Sequence, residues 1–247
     1  MATLTAADYA DTGQWRLIVK IWPTGISAHL ENTIHRDVEL QELFTTTWEG
    51  EAGNILEHIE NAVYDHPRVL DDFSARIVVY DRKTLFMPTE LLTETEGTEE
   101  GFYTTVYDSE SSDVMCDSDG DITAAFSLAP GLKGFLSRTF PGARIDCNLM
   151  RKVRRFRREG DGKRLHVWLR PGECDCVLLD GTSLLSASTH SWNSGYDILY
   201  HAFNLLDVYG VETQDTKVLF GGVNPPDEVS SFMSGREGEL KKQSKRE

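Results

Sequence analysis

Four aspartates crowd one short stretch, Asp113, Asp117, Asp119 and Asp121, and carboxylates in such density are what a calcium loop uses. That loop also needs glycine at its sixth position and glutamate at its twelfth. Counted from Asp117, Gly120 is fourth; counted from Asp113, the third residue is Met115. The stretch therefore reads as a hairpin turn between β-prone runs. His190, Ser191 and Asp197 have the residue types of a nucleophilic triad, but no Gly-x-Ser-x-Gly elbow surrounds a serine. Cys174 and Cys176 fall on one face of a strand with His166 on the neighbouring run; small buried residues are the plainer reading of that trio. No metal site and no catalytic residue is expected. Residues 151–158 (RKVRRFRR) place six cations in eight positions. Arg151, Arg154, Arg155 and Arg158 are the candidates for docking an acidic partner, against the plainer reading of a solvated helix face whose Leu149, Val153 and Phe156 turn inward.

The elements that would hold these residues follow from periodicity. Residues 15–21 (WRLIVKI), 26–31 and 37–44 read as three strands, the first two joined at Pro23-Thr24-Gly25. Ile55, Ile59 and Val63 recur every four residues and predict a helix over 50–64, stopped by His66-Pro67. A buried-type strand follows at 76–80. Residues 84–87 predict another strand, and Pro88 opens a short helix through Leu92. The acidic, threonine-rich stretch 93–101 reads as a loop. Strands at 114–116 and 122–126 flank the aspartate turn, and a helix over 130–140 is ended by Pro141. Then the opening pattern returns. Strands at 165–169, 174–179 and 183–188 precede a helix over 194–209 and a strand at 217–220. Three meandering strands, a helix and a strand thus occur twice, about 150 residues apart. Such a unit buries one sheet face under its own helix.

The chain has 247 residues, 40% of them hydrophobic, enough to bury a substantial core. Its net charge of −15 repels phosphate backbones and anionic lipid, so nucleic acid is an unlikely partner and another protein the expected one. No run of about 18 apolar residues predicts a membrane span. The four cysteines have no zinc spacing and residues 1–14 have no signal-peptide core, so a reduced, cytoplasmic protein is expected.

The segments 85–92 (LFMPTELL), Phe140-Pro141, 178–185 (LLDGTSLL), 196–200 (YDILY) and 218–222 (VLFGG), in this order, resemble a family of uncharacterised proteins from Bacteroides and its relatives with an actin-like ATPase fold. The resemblance implies a bacterial α/β protein of duplicated, ribonuclease H-like β-β-β-α-β units in the two-lobed architecture shared by actin, sugar kinases and heat-shock chaperone ATPases. It implies a first lobe over 15–147 with an inserted hairpin region, a second over 148–234, and flexible tails at 1–14 and 235–247.

It also implies where nucleotide chemistry would sit. In that superfamily two hairpin turns cradle phosphates with glycine amides, and acids at strand ends hold metal or orient water. Here Lys20-Ile21-Trp22 stands where the first Asp-x-Gly belongs, followed by Pro23, Thr24 and Gly25. Pro23 has no N–H to donate. In the second hairpin Trp168 occupies the acid's place, Asp175 aligns with a later aspartate, and Gly172 is what remains of the glycine cluster. Gly221-Gly222 follows a strand as the superfamily's adenosine-contacting pair does. Thr24, Gly25, Gly172, Gly221 and Gly222 are therefore the candidate nucleotide contacts, with ATP the candidate cofactor. The expected function is a non-hydrolysing, pseudo-ATPase scaffold or protein-binding role. A nucleotide-binding ATPase or phosphotransferase with a rearranged active site is the alternative.

Overall fold

The computed structural model describes residues 12–35, 39–49, 54–81, 83–94, 99–107 and 113–235. It divides into two compact units, residues 1–118 with 123–148, and residues 119–122 with 149–247. Each is an α/β unit built on the same plan.

In the first unit, β1 (Trp15–Trp22), β2 (Gly25–Asn32) and β3 (Gln41–Thr47) form a meander. Helix α1 (Ile55–Asp65) follows and leads to β4 (Ala75–Tyr80), which pairs parallel with β1. An inserted three-stranded sheet comes next. Its strands are β5 (Thr84–Pro88), β6 (Val114–Asp119) and β7 (Ile122–Ser127), in the order β5-β7-β6, with α2 (Thr89–Glu94) and α3 (Glu99–Tyr107) between β5 and β6. Helix α4 (Leu132–Thr139) returns the chain to β8 (Arg144–Cys147), completing a sheet ordered β3-β2-β1-β4-β8.

The second unit repeats the plan with fewer parts. Helix α5 (Asn148–Phe156) leads to the meander β9 (Lys163–Arg170), β10 (Glu173–Asp180) and β11 (Ser183–Ser191). Helix α6 (Gly195–Val208), β12 (Lys217–Gly222) and α7 (Asp227–Gly235) follow. The sheet order is β11-β10-β9-β12, with β12 parallel to β9. Both opening strands are displaced by 148 residues, Trp15 to Lys163 and Gly25 to Glu173.

Alternation explains the second core. Leu165, Val167 and Leu169 of β9, with Cys174, Cys176 and Leu178 of β10, point to the face covered by Ile198, Ala202 and Leu206 of α6. Those helical residues recur at four-residue spacing, one stripe of an α-helix. Ser194 caps α6 in a capping box with Asp197, satisfying orphan amides at its start.

Several boundaries differ from expectation. The third strand runs to Thr47, because Thr45, Thr46 and Thr47 are β-branched and extend the pleat past Phe44; Asp37 and Val38 lie outside the described residues. Helix α1 starts after the cap Asn54, and residues 50–53 also lie outside. The aspartate turn is only Gly120-Asp121, with Asp117 buried inside β6. Of the stretch read as a loop over 93–101, residues 93–94 close α2 and 99–101 open α3, whose Tyr103 packs on Met87 and Ala125, while 95–98 lie outside the described residues. Tertiary contact there overrides a composition that suggests a loop. Of the two expected tails, all but residues 12–14 and Gly235 fall outside the described residues.

Candidate functional site

Each unit carries a two-residue hairpin turn. Trp22 pairs with Gly25 around Pro23-Thr24, and Arg170 pairs with Glu173 around Pro171-Gly172. Proline presets the first turn position, and Gly172 takes the second at φ 73°, a conformation that favours glycine.

The two turns are tied down alike. The Trp48 amide donates to the Thr24 carbonyl at 3.0 Å and its indole N–H donates to the Pro23 carbonyl at 2.9 Å. The Trp192 amide donates to the Gly172 carbonyl at 3.0 Å and its indole N–H to the Arg170 carbonyl at 3.2 Å. A tryptophan just beyond the third strand thus closes each hairpin.

What stands on the two frames differs. In the first, Gly25 is buried, and a Cβ on it would run into the Trp22 indole. The glycine's open face is filled by the protein's own side chain. Thr24 is exposed at the turn. In the second, β10 brings Asp175 into a buried ion cluster. Lys152 of α5 donates to Asp175 Oδ2 at 2.6 Å. Arg170 donates to Oδ1 at 2.9 Å, and the Thr189 hydroxyl to the same oxygen at 2.6 Å. Asp175 is 1% exposed and Lys152 5%. Arg170 also pairs with Glu173 at 3.0 Å. Burial pushes the Asp175 carboxyl up, but the Lys152 and Arg170 charges and the Lys152 and Thr189 hydrogen bonds outweigh it and hold the group below the usual carboxylate range. Trp168 is also buried. Lys152 lies 5.6 Å and Arg155 5.3 Å from its indole centre.

These residues do not fit a magnesium-bound nucleotide. Lys20 and Trp168, 148 residues apart and equivalent in the repeat, are the positions where the resemblance implies acids, and neither side chain can ligate the cation. The second unit's remaining candidate acid, Asp175, already has both oxygens engaged by cations and a hydroxyl. A metal would have to displace a buried lysine and an arginine from it.

The glycine pair of β12 has a backbone reason. Gly222 sits at φ 88°, and a Cβ there would strike the Leu169 carbonyl. The next amide, Val223, donates to that same carbonyl at 3.1 Å. Gly221 pairs with Trp168 across the ladder. The equivalent positions in the first unit are Val79 and Tyr80, Tyr80 pairing with Ile21 as Gly222 does with Leu169. The Tyr80 hydroxyl accepts from the Ala129 amide at 3.1 Å.

The basic helix is partly consumed inside its own unit. Lys152 serves Asp175. Arg155 bonds Glu159 at 3.2 Å, and Arg157 bonds Asp121 at 2.8 Å and the Thr182 carbonyl at 2.6 Å. Arg151 and Arg154 are half-buried, and Arg158 is exposed. Leu149, Val153 and Phe156 are buried, as their spacing predicts.

The other constellations come apart. Cys174 and Cys176 face α6, whereas His166 lies in the row one residue off and stacks on Phe156 at 4.1 Å. A hydrogen bond with Cys174 and burial push the Cys176 thiol well up, so it is no ready ligand. Asp197 caps α6, and His190 meets Ser188 and His201 rather than a triad. No group of three potential metal-binding side chains occurs among the described residues, and no helix among them is long and apolar enough to cross a membrane.

Sequence reasoning missed Lys152, Arg170 and Thr189 as partners of Asp175. One signal was present: Asp175, between Cys174 and Cys176 in a run otherwise apolar over 174–179, must find a buried partner.

Paired β-β-β-α-β units, each opened by a tied hairpin, define a protein of actin-like ATPase fold. The chain belongs to the family described as "Protein of unknown function (DUF3822)", whose model matches residues 5–231. It is similar to a Bacteroides thetaiotaomicron crystal structure described as a protein with actin-like ATPase fold and unknown function. The TM-score is 0.76 at 16% identity, over 92% of this chain and 89% of that one. Weaker likenesses include a PilM-PilN type IV pilus biogenesis complex (TM-score 0.44, 14% identity, 84% of this chain and 81% of that one). Another is an exopolyphosphatase from Cytophaga hutchinsonii (TM-score 0.43, 6% identity, 84% and 66%). Comparison with curated proteins gave no match.

Proposed function

We propose that this protein keeps the actin-like frame without nucleotide hydrolysis and works as a cytoplasmic binding or scaffold protein. The observation that carries this reading is the occupation of both hairpins by the protein's own groups. Trp22 fills the face of Gly25, and Lys152, Arg170 and Thr189 saturate Asp175. Removing the group that positions metal or water costs such enzymes orders of magnitude in rate, and here the equivalent positions hold Lys20 and Trp168. No disulfide joins the four cysteines, and Cys116 is exposed, which suits a reducing compartment.

The test is a melt with and without magnesium-ATP, alongside a turnover assay. A ligand that binds only the folded state adds about 2.7 kcal/mol at about 100 times its dissociation constant. No shift and no turnover are expected. Steady turnover that disappears when Asp175 or an acid of the first unit is replaced would overturn the reading and favour a rearranged ATPase or phosphotransferase. For the partner, Arg154→Glu with Arg158→Glu should abolish capture of an acidic protein if the basic run 151–158 docks one. Unchanged capture removes that face from the proposal.

A further inference from the structure

Ring stacking recurs around the histidines of this chain, and one pair differs from the rest. His66 stacks on Phe44 at 4.2 Å, His58 on Trp48 at 5.1 Å and His166 on Phe156 at 4.1 Å. A proton taken up by any of these imidazoles meets the face of a ring that cannot charge, and that face attracts it. His190 of β11 stacks instead on His201 of α6, with ring centres 4.2 Å apart and planes 11° from parallel. There a second proton meets the first.

The pair sits where the apolar core runs out. Cross-strand partners share a face of a sheet. Cys174, Cys176 and Leu178 of β10, packed under α6, pair with His190, Ser188 and Ser186 of β11. Leu185, at the register shift, still packs on the core. Beyond it β11 turns two serines and a histidine toward the helix side. His190 and His201 are each half-buried. His190 Nε2 lies 2.8 Å from the Ser188 hydroxyl, which can serve a charged imidazole as well as a neutral one. The strand, SLLSASTHS, holds no Lys, Arg, Asp or Glu, so His190 is its one residue that gains a charge near neutral pH.

The neighbouring charges suit one proton on the pair, not two. On β10, Asp175 favours a charged His190, but its own charge is matched by Lys152 and Arg170, and Glu173 is paired with Arg170. On α6, Asp197 stands one turn before His201 and accepts from the Asn193 and Ser194 amides. On α7, Glu228 lies against Gly195 at the start of α6. Burial and the His201 charge hold His190 below its ordinary value.

We propose that the His190–His201 stack is a proton-operated clasp, holding α6 to the β11 end of its sheet at neutral pH and releasing it when both rings are charged. Two cations this close in a half-buried seam repel, and parting the rings returns both to water. The parted form binds protons more readily than the closed one, so acid shifts the population toward it. The stripe of Ile198, Ala202 and Leu206 keeps its apolar contacts, so the opening is local to the seam. This inference does not depend on the nucleotide reading.

The experiment uses the full chain, with thermal melts to confirm that each variant folds. Imidazole NMR signals are followed from about pH 8 to about pH 5. In parallel, 4,4′-dithiodipyridine, which modifies thiols in acid, reports the opening at buried Cys174, directly across from His190. Exposed Cys116 is the internal reference for the reagent's own pH dependence. In the wild type the pair should take up its protons in two steps more than about one pH unit apart. The Cys174 to Cys116 rate ratio should rise about tenfold or more between about pH 7.5 and about pH 5.5. His201→Phe supplies a ring that stacks as Phe156 does on His166 but cannot charge. It should leave the ratio flat and His190 titrating in a single step. His201→Arg carries the charge throughout and should show the raised ratio already at about pH 7.5. A flat wild-type ratio, a wild-type pair that titrates in one step, or a rise that survives in His201→Phe would each overturn the proposal. So would a His201→Arg variant as closed at neutral pH as the wild type.

Discussion

The β1–β2 and β9–β10 hairpins share a backbone and almost nothing else. Both are closed by two residues beginning with proline, both are tied by a tryptophan after the third strand, and both lean on a parallel strand whose following amide donates back, Asp81 to Ile21 at 2.9 Å and Val223 to Leu169 at 3.1 Å. The first is dressed with apolar bulk, its glycine packed under Trp22. The second is dressed with charge, Asp175 held between Lys152 and Arg170. Backbone geometry is fixed by turn chemistry and hydrogen-bond closure, which every such hairpin must satisfy. Side chains are not bound by that closure, and here they diverge between the two copies.

The sharpest way to break this comparison is at equivalent positions 27 and 175. Asp175→Ala leaves Lys152 buried without its counter-charge and should cost about 3–5 kcal/mol in urea unfolding. Ser27→Ala removes a hydroxyl 3.0 Å from His29 and should cost about 1 kcal/mol or less. Equal losses would show that the cluster is not the second unit's distinguishing brace.

Next in size is the strand end. Gly222→Ala forces a side chain at φ 88° into the Leu169 carbonyl and should cost about 2–3 kcal/mol. Tyr80→Phe at the matching place leaves the Ala129 amide without its partner and should cost about 1–2 kcal/mol. A neutral Gly222→Ala would reopen a ligand-contact role for that glycine.

Trp48→Phe and Trp192→Phe each remove one indole donor from a turn carbonyl. Losses of about 1 kcal/mol, equal within error, are expected. Unequal losses would show that one turn is held by other means.

The smallest effect is in pH. His29 and His190 both titrate below their ordinary value, chiefly through burial, with the Lys20 and His201 charges adding to it. The unfolded chain therefore binds protons more readily, and stability falls as pH drops below about 6.5. Asp175 has a lowered folded value, so its contribution is complete above about pH 3.9 and is lost as pH falls through that lower value. A two-stage acid profile is expected, and Asp175→Asn should remove the lower stage.

Much of this fold is written locally. Repeated strand-strand-strand-helix-strand periodicity, Pro23 and Pro171 at the turns, and Asp180-Gly181 between β10 and β11 need only neighbouring residues to be read. The buried stripe Leu149, Val153, Phe156 is equally local, because helical spacing assigns a face. Helix α3 was not legible: its acidic, threonine-rich start favours a loop until Tyr103 packs on Met87 and Ala125. The candidate site divides along the same line. That Lys20 and Trp168 stand at equivalent places on the two opening strands is a matter of residue identity, and the chain alone determined it. That Lys152, in a run of six cations, turns inward to Asp175, 23 residues away, was decided by the packing of α5 on β10. So was the contact between His190 and His201 beside an uncharged edge. A sequence states which groups exist and what their neighbours favour, but only the closed structure sets which charges lose their water together, and that desolvation decides which pairs must form.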